Sequence, residues 1–339
     1  MCYNVSNDGS TTEIALPQEC LNIDSPQPTY NSSGQLSVFS NNIQNGEYYS
    51  AIVLTKSNFN TGDTFSVALE KSGKTGQNFA YTLQNIAIAV NAKLGGIPWR
   101  INMPEAKELV IGVGAFKNTD TNVQYIASAF SFDNTGAFNS FEYFHKYEVS
   151  ELAGSIEDAI INYANINNKP NRLVIHFYKE MSEEEIKPIE KVLHNLDLNI
   201  PVFVVTINKT ESEDFVVFDD KFSEKMPYSG RYINLGNKTF LLCNNTRYED
   251  NTYKGMDGYP FPVKLTISCP TDSELQSDTK IINGLIDQVY QFSRIYWKSV
   301  KQQNLPVTIK YPEMVAQIAP HFNGSDIPSN IGNDNLWFL

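Results

Sequence analysis

Cysteine is scarce: Cys2, Cys20, Cys243 and Cys269 are the four in 339 residues. They form no Cys-x-x-Cys pair and have no histidine close in sequence, so neither a zinc site nor a disulfide framework is expected. Long apolar runs are missing as well. No stretch approaches the ~18 apolar residues of a membrane span. The opening MCYNVSNDGS lacks the basic and apolar regions of a signal peptide. A cytoplasmic, membrane-free protein is the expectation, and Asn-x-Ser/Thr triplets such as Asn208-Lys209-Thr210 and Asn237-Lys238-Thr239 are read as chance in an Asn-rich chain. Nucleophile elbow, P-loop and dinucleotide fingerprint are all absent. Basic charge is in short supply too, with 26 Lys and Arg against 38 Asp and Glu and a net charge of −12. A nucleic-acid binder usually carries a basic face, because neutralised phosphates supply most of its affinity. Such a role here requires the basic residues to be segregated into a channel, or another chain to complete it.

What is present is a polar beginning and an ordered α/β remainder. Residues 1–50 are rich in Asn, Ser, Gln and Pro and read as extended chain that wraps another surface. A short strand is expected at 51–54, and 55–80 reads as loop around an apolar patch at 65–69. A helix beginning near Tyr81 points Ile86, Ile88, Val90 and Leu94 inward and closes on Gly95-Gly96, glycine being the residue that caps helices in the left-handed region. After a linker with Pro98 and Pro104, the apolar run 109–116 fits a buried strand. With 124–132 and 140–147 it predicts an antiparallel meander. A helix over 150–164 follows, with Leu152, Ile156, Ile160 and Ala164 on one face, and then strand 172–177. Ser182 and Glu185 form a capping box, and Pro188 inside the helix predicts a kink. Strands are expected at 201–207, 214–218, 230–235 and 239–244, with Gly236-Asn237 as a hairpin turn. A long helix is expected over 279–301 with Ile282, Leu285, Ile286, Val289 and Phe292 inward.

The blocks NIAIAVNAKLGG and ELVIGVGAF resemble the passage from MID to PIWI in Argonaute proteins. LVIHFYKEMSEEEIKPIEKVL, IPVFVVTINKT, GRYINLGNKTFLLCN and WKSVKQQNLPVTIKYPEMVAQIAPHF continue that resemblance in the family's order, so it spans residues 80–339. It implies an RNase H-like PIWI domain at 108–339, preceded at 1–107 by an N-terminal segment and a reduced MID-like region. The interval between GEYYS and KLGG is too short for a whole MID domain.

RNase H-like nucleases hold two Mg²⁺ ions about 3.5–4 Å apart between carboxylates on neighbouring strands. The resemblance places Gly114 at the first ligand position, Lys179 at the second and Gln317 at the third. Glycine offers no ligand and lysine opposes a metal, so a lost slicer site is expected and the chain itself is expected not to be an enzyme. An active alternative would have to regroup Asp133, Glu180 and His321. Asp133 reads instead as the start of an Asp-Asn-Thr-Gly turn, and His321 follows Pro320 near a helix end. His176, alternating within a buried strand, reads as a core histidine. Glu183-Glu184-Glu185 reads as the acidic first turn of a helix.

The family grips the guide's 5′-phosphate through charge-assisted hydrogen bonds. Here the resemblance assigns Lys93 of KLGG, and the carboxylate of the terminal Leu339, to that role. Ala89 stands where the family places Gln or Lys, and no convincing Tyr-x-x-x-Lys is found. The cofactor allowed is a Mg²⁺ ion at the guide 5′-phosphate. Contacts to the nucleic-acid backbone are assigned to Arg247, Lys254, Lys264, Lys298 and Lys310. The resemblance as a whole implies a short prokaryotic Argonaute, a heterodimeric defence system whose partners are a small guide RNA, a target single-stranded DNA and an APAZ-containing effector of sirtuin-like, TIR or nuclease type. A rearranged RNase H-like nuclease and a structural subunit without nucleic-acid binding remain as alternatives.

Overall fold

A computed structural model describes residues 85–101, 106–115, 130–142, 149–248, 260–298, 303–318 and 335–339 in full, and elsewhere the backbone of the strands and helix named below. The chain divides into two compact units, Met1–Asn91 and Ala92–Leu339. In the first, pairing is local and antiparallel: β1 (Asn4–Val5) with β2 (Thr11–Thr12), β3 (Thr29–Tyr30) with β4 (Leu36–Ser37), β5 (Tyr48–Ala51) with β6 (Leu69–Ser72). Of the strand expected at 51–54 only Ala51 is among the described residues, as the end of β5, and within 55–80, expected as loop, the described residues are β6 and the start of α1. α1 (Phe79–Lys93) stops on Gly95, whose φ of +80° suits a residue without Cβ. Its N–H donates to Ala92 O at 3.1 Å. Ala92 is the buried residue of that last turn, whereas Leu94, expected inward, is exposed.

The second unit is built on β7 (Glu108–Lys117), β8 (Gln124–Asp133), β9 (Phe138–Ser140), β10 (Arg172–Phe177), β11 (Val202–Ile207), β12 (Tyr232–Gly236), β13 (Thr239–Leu242) and β14 (Val263–Ser268). They form one sheet in the order β12-β13-β14-β11-β10-β7-β8-β9. β7, β8 and β9 are the antiparallel meander; β10 and β11 lie parallel to β7. Parallel neighbours need long crossovers, supplied by α2 (Val149–Asn167) and α3 (Glu183–Asn195). α4 (Lys209–Ser212), α5 (Thr279–Phe292) and α6 (Val307–Ile318) complete the unit. A three-strand meander followed by two parallel strands is the RNase H-like arrangement.

Alternation sorts the strands' side chains between two layers. Leu109, Ile111 and Val113 of β7, with Leu173, Ile175 and Phe177 of β10, pack against Leu152, Ile156 and Ile160 of α2 and Ile189 and Leu193 of α3. On β8 and its surroundings Phe130 stacks on Phe141 with ring centroids 4.6 Å apart and meets Phe338 edge-on at 5.5 Å. Tyr311 of α6 closes on Phe338 at the same separation, 5.5 Å. The chain's last residues are thereby seated in the core.

Several expected boundaries move, each for a local reason. The carboxylate of Asp133 accepts from the backbone N–H of Thr135 and of Ala137, a tight turn that starts β9 at 138, not 140. Residues 143–147 of that expected strand lie outside the described residues. α5 ends at Phe292 instead of 301, because the Ser293 N–H turns back to Tyr290 O at 3.2 Å and Tyr311 OH receives the Trp297 N–H. The strand expected at 214–218 is absent: Val216 and Phe218 are exposed, and the segment pairs with no strand among the described residues. The hairpin turns one residue later than expected, on Asn237 and Lys238 with φ of 47° and 59°, as a two-residue hairpin loop of the I′ type requires. Ser182 does precede α3, and its N–H is received by Glu185 at 2.7 Å. The helix runs past Pro188 to Asn195.

Candidate nucleic-acid interface

Ligands of open α/β sheets gather at the carboxyl ends of the strands. Val113 of β7 lies opposite Phe177 of β10, and Phe177 opposite Thr206 of β11. Gly114, inside β7 and one residue past its last pairing with β10, and Lys179, two residues past the end of β10, therefore lie at the same end of two adjacent parallel strands. Their chemistry is not that of a metal site. A Cβ at Gly114 would stand 2.7 Å from the Ile309 carbonyl oxygen and 3.1 Å from the Glu313 nitrogen of α6. Lys179 gives its ammonium to Glu185 at 2.8 Å. Burial of that pair raises the Glu185 carboxyl and lowers the Lys179 ammonium. Gln317, one turn on from Glu313, is exposed. Glu313 itself is shared by Lys209 at 3.4 Å and Lys310 at 3.8 Å. Mg²⁺ takes oxygen ligands, and the three positions offer only one neutral amide oxygen, so the residues present do not fit a two-metal centre. Asp133 is committed to its turn, Glu180 is exposed, and His321 lies outside the described residues. Among the described residues no three His, Cys, Asp or Glu side chains converge.

His176 is fully buried, shares a 2.7 Å hydrogen bond with Thr308 of α6, and is pushed down to about 3 by burial against the opposing pull of Gln288. Its burial and its bond to Thr308 make it a core residue. Glu183 and Glu184 sit exposed in the first turn of α3.

Cations collect at two other places. Lys93, at the end of α1, is half-buried, and burial together with the nearby Lys298 ammonium lowers it to about 8. A few residues on, within the second unit, Trp99 Nε1 donates to Arg294 O at 2.8 Å, and Ile101 N–H to Thr135 O at 3.1 Å. Leu339 is buried with Leu336 and Phe338 at the end of the docked tail. The second place is a cleft of about 610 Å³ lined by Asp219, Lys221, Phe222, Tyr228, Arg231 and Arg247, among others. Arg247 is only 4% exposed. Its guanidinium lies between the rings of Phe222 and Tyr228, 3.8 and 3.6 Å from their centroids.

A Piwi domain family model matches residues 42–323. The chain belongs to the Piwi domain family. Its relatives include a Piwi protein of Archaeoglobus fulgidus, 25% identical over 291 residues that cover 78% of this chain and 66% of that protein. A protein argonaute of Cereibacter sphaeroides is 25% identical over 277 residues, covering 71% of this chain and 34% of the relative. This Piwi chain thus spans just under two thirds of the first and about a third of the second. Among solved structures, Clostridium butyricum Argonaute bound to a guide DNA and a 19-mer target DNA shares the fold with a TM-score of 0.52 at 20% identity, over 78% of this chain and 33% of that one.

Of the basic residues assigned to nucleic acid in this Piwi chain, Lys298 lies near enough to Lys93 to help lower its ammonium. Arg247 is enclosed as described. Lys264 pairs with Glu211 and lies over the Phe215 ring, and Lys310 faces Glu313. Lys254 lies outside the described residues. Sequence reasoning did not single out Lys221 or Arg231. They come together through the bridge between Tyr228 and Arg247, a pairing that no local pattern announces.

Proposed function

We propose that this chain is the guide-directed recognition subunit of a short Argonaute defence system. It holds a small guide RNA and a complementary target single-stranded DNA without cutting them, and passes the signal to a separate APAZ-containing effector. The observation that carries the reading is the half-buried Lys93 at the end of α1, whose ammonium is lowered to about 8 by burial first and by the nearby Lys298 second. Like charges brought together and partly desolvated are stabilised by a bound dianion, and a terminal phosphate is one. Family membership and the guide and target in the Clostridium butyricum complex support the same direction. The loss of cutting is supported by Gly114 under α6 and by Lys179 tied to Glu185.

Lys93→Ala is expected to weaken a 5′-phosphorylated guide about tenfold and leave a 5′-hydroxyl guide nearly unchanged in a filter-binding titration. An equal effect on both guides would remove Lys93 from the pocket. Because the free ammonium titrates at about 8, it is charged below that pH and lost above it. The preference for the phosphorylated guide is therefore expected to shrink from pH 7 to pH 9, and to be flat in Lys93→Ala.

The slicer positions give a separate expectation. Gly114→Asp is expected to leave a guide-matched target intact in Mg²⁺ or Mn²⁺ and to lower Tm, because the new side chain meets the Ile309 carbonyl. Severing of a paired strand by the purified wild-type chain would refute the non-cutting half of the reading.

A further inference from the structure

We propose that the cleft between residues 219–231 and Arg247 is a second phosphate-binding site, for the phosphate of a nucleotide unit. In a chain of net charge −12, the described residues that line this cleft include three cations, Lys221, Arg231 and Arg247, against a single carboxylate, Asp219. That carboxylate is already committed: it accepts the Lys221 N–H at 3.0 Å and pairs with Arg247 at 3.0 Å and Arg231 at 3.8 Å. The Lys221 N–H first, and then Arg247, hold it below the usual carboxylate range. The neighbouring Asp220 is turned out to water, 3.8 Å from Lys225.

The cations are also fixed in place. Arg247 donates through Nε to Met226 O at 2.6 Å while its plane is clasped by Phe222 and Tyr228. Arg231 covers the same Tyr228 ring at 4.9 Å and is 63% exposed at the mouth. Lys221 is exposed and makes no ion pair among the described residues. Behind them Arg294 binds Ser229 Oγ at 3.1 Å, and Ser229 Oγ donates to Asn244 O at 2.6 Å, which holds the two sides of the cleft together. Two guanidinium groups arranged about one tyrosine, with one shared counter-charge, form a site that an anion completes. Guanidinium geometry favours phosphate oxygens taken two at a time. The volume lies within the ~300–1,000 Å³ common to ligand sites.

The phosphate can come from a strand's backbone or from a free nucleotide. The strand form rests on the recognition reading above; the phosphate site itself does not. The test uses the full chain with Lys221→Ala and Arg231→Ala combined, both exposed, leaving the buried Arg247 in place. A 5′-hydroxyl single-stranded oligonucleotide, which bypasses the Lys93 position, is titrated by fluorescence anisotropy across a salt series. Inorganic pyrophosphate is titrated by calorimetry. Binding of the oligonucleotide about fivefold weaker, with the salt slope reduced by about 1–2, assigns the site to a strand. Unchanged oligonucleotide binding with loss of pyrophosphate binding assigns it to a free nucleotide phosphate. Pyrophosphate binding by a wild-type chain that binds no oligonucleotide would keep the site and sink the recognition reading. Equal behaviour of variant and wild type towards both probes, or no binding of either, would overturn the proposal.

Discussion

Gly112→Ala is expected to be the most damaging single-methyl change among the glycines of the described residues. A Cβ at that position would stand 2.0 Å from the Thr308 carbonyl oxygen and 2.6 Å from the Thr308 Cα, all of it backbone of α6. No rotamer can relieve a clash with main chain, so the helix would have to lift. Lifting it would also part His176 from Thr308 and Tyr311 from Phe338. Overpacking of a rigid core costs about 1–3 kcal/mol and more when backbone must move. A loss near 3 kcal/mol would lower Tm by about 6–12 °C in a domain of this size. Gly154 of α2 is the control. Nothing lies within 4 Å of its Cβ position, so Gly154→Ala is expected to raise stability by about 0.4–1 kcal/mol through the unfolded chain. Matching thermal melts for Gly112→Ala and wild type would mean that α6 does not sit on β7 as described.

Glu108→Ala is expected to come second. Glu108 is 3% exposed at the start of β7 and accepts from Arg172 and from Gln288 of α5. Breaking a buried pair by deleting one member costs about 3–5 kcal/mol, mostly because the other charge is stranded. Arg172 retains 29% of its side-chain surface in water, so the lower end of that range, about 3 kcal/mol, is expected. Glu108→Gln preserves the shape and an acceptor for Arg172, and should lose less than half as much in urea titrations. Equal losses in the two variants would show that packing, and not charge, holds this corner.

What could be read in the residues follows from how local the cause is. β7, β10 and β11 are short apolar runs whose identity depends on their own side chains, and all three lie where expected. The Ser182–Glu185 cap and the Asp133 turn are decided within a few residues and were equally legible. The end of α5 depends on a tyrosine of α6, so periodicity alone carried the helix too far. The segment 214–218 has strand composition but finds no partner edge, and composition does not supply one. At the candidate sites the reading was a local matter: the resemblance sets Gly114, Lys179 and Gln317 at the expected ligand positions, and their types are read directly from the sequence. The approach of Lys298 to Lys93, and of Arg231 to Arg247 around Tyr228, is tertiary and had no signal in spacing or charge pattern. Arg247 illustrates the limit, since its type suggested a surface contact while its neighbours form a case around it.

Contacts between β7 and α6 join segments that ribosomes produce nearly two hundred positions apart. The first strand of the sheet thus waits, one flank bare, until the carboxyl-terminal helix has emerged. Non-local closure of this kind slows acquisition of the native state and prolongs exposure of sticky intermediates. Truncation just before Val307 would strand the nascent protein in that condition, however complete its meander and its crossover helices.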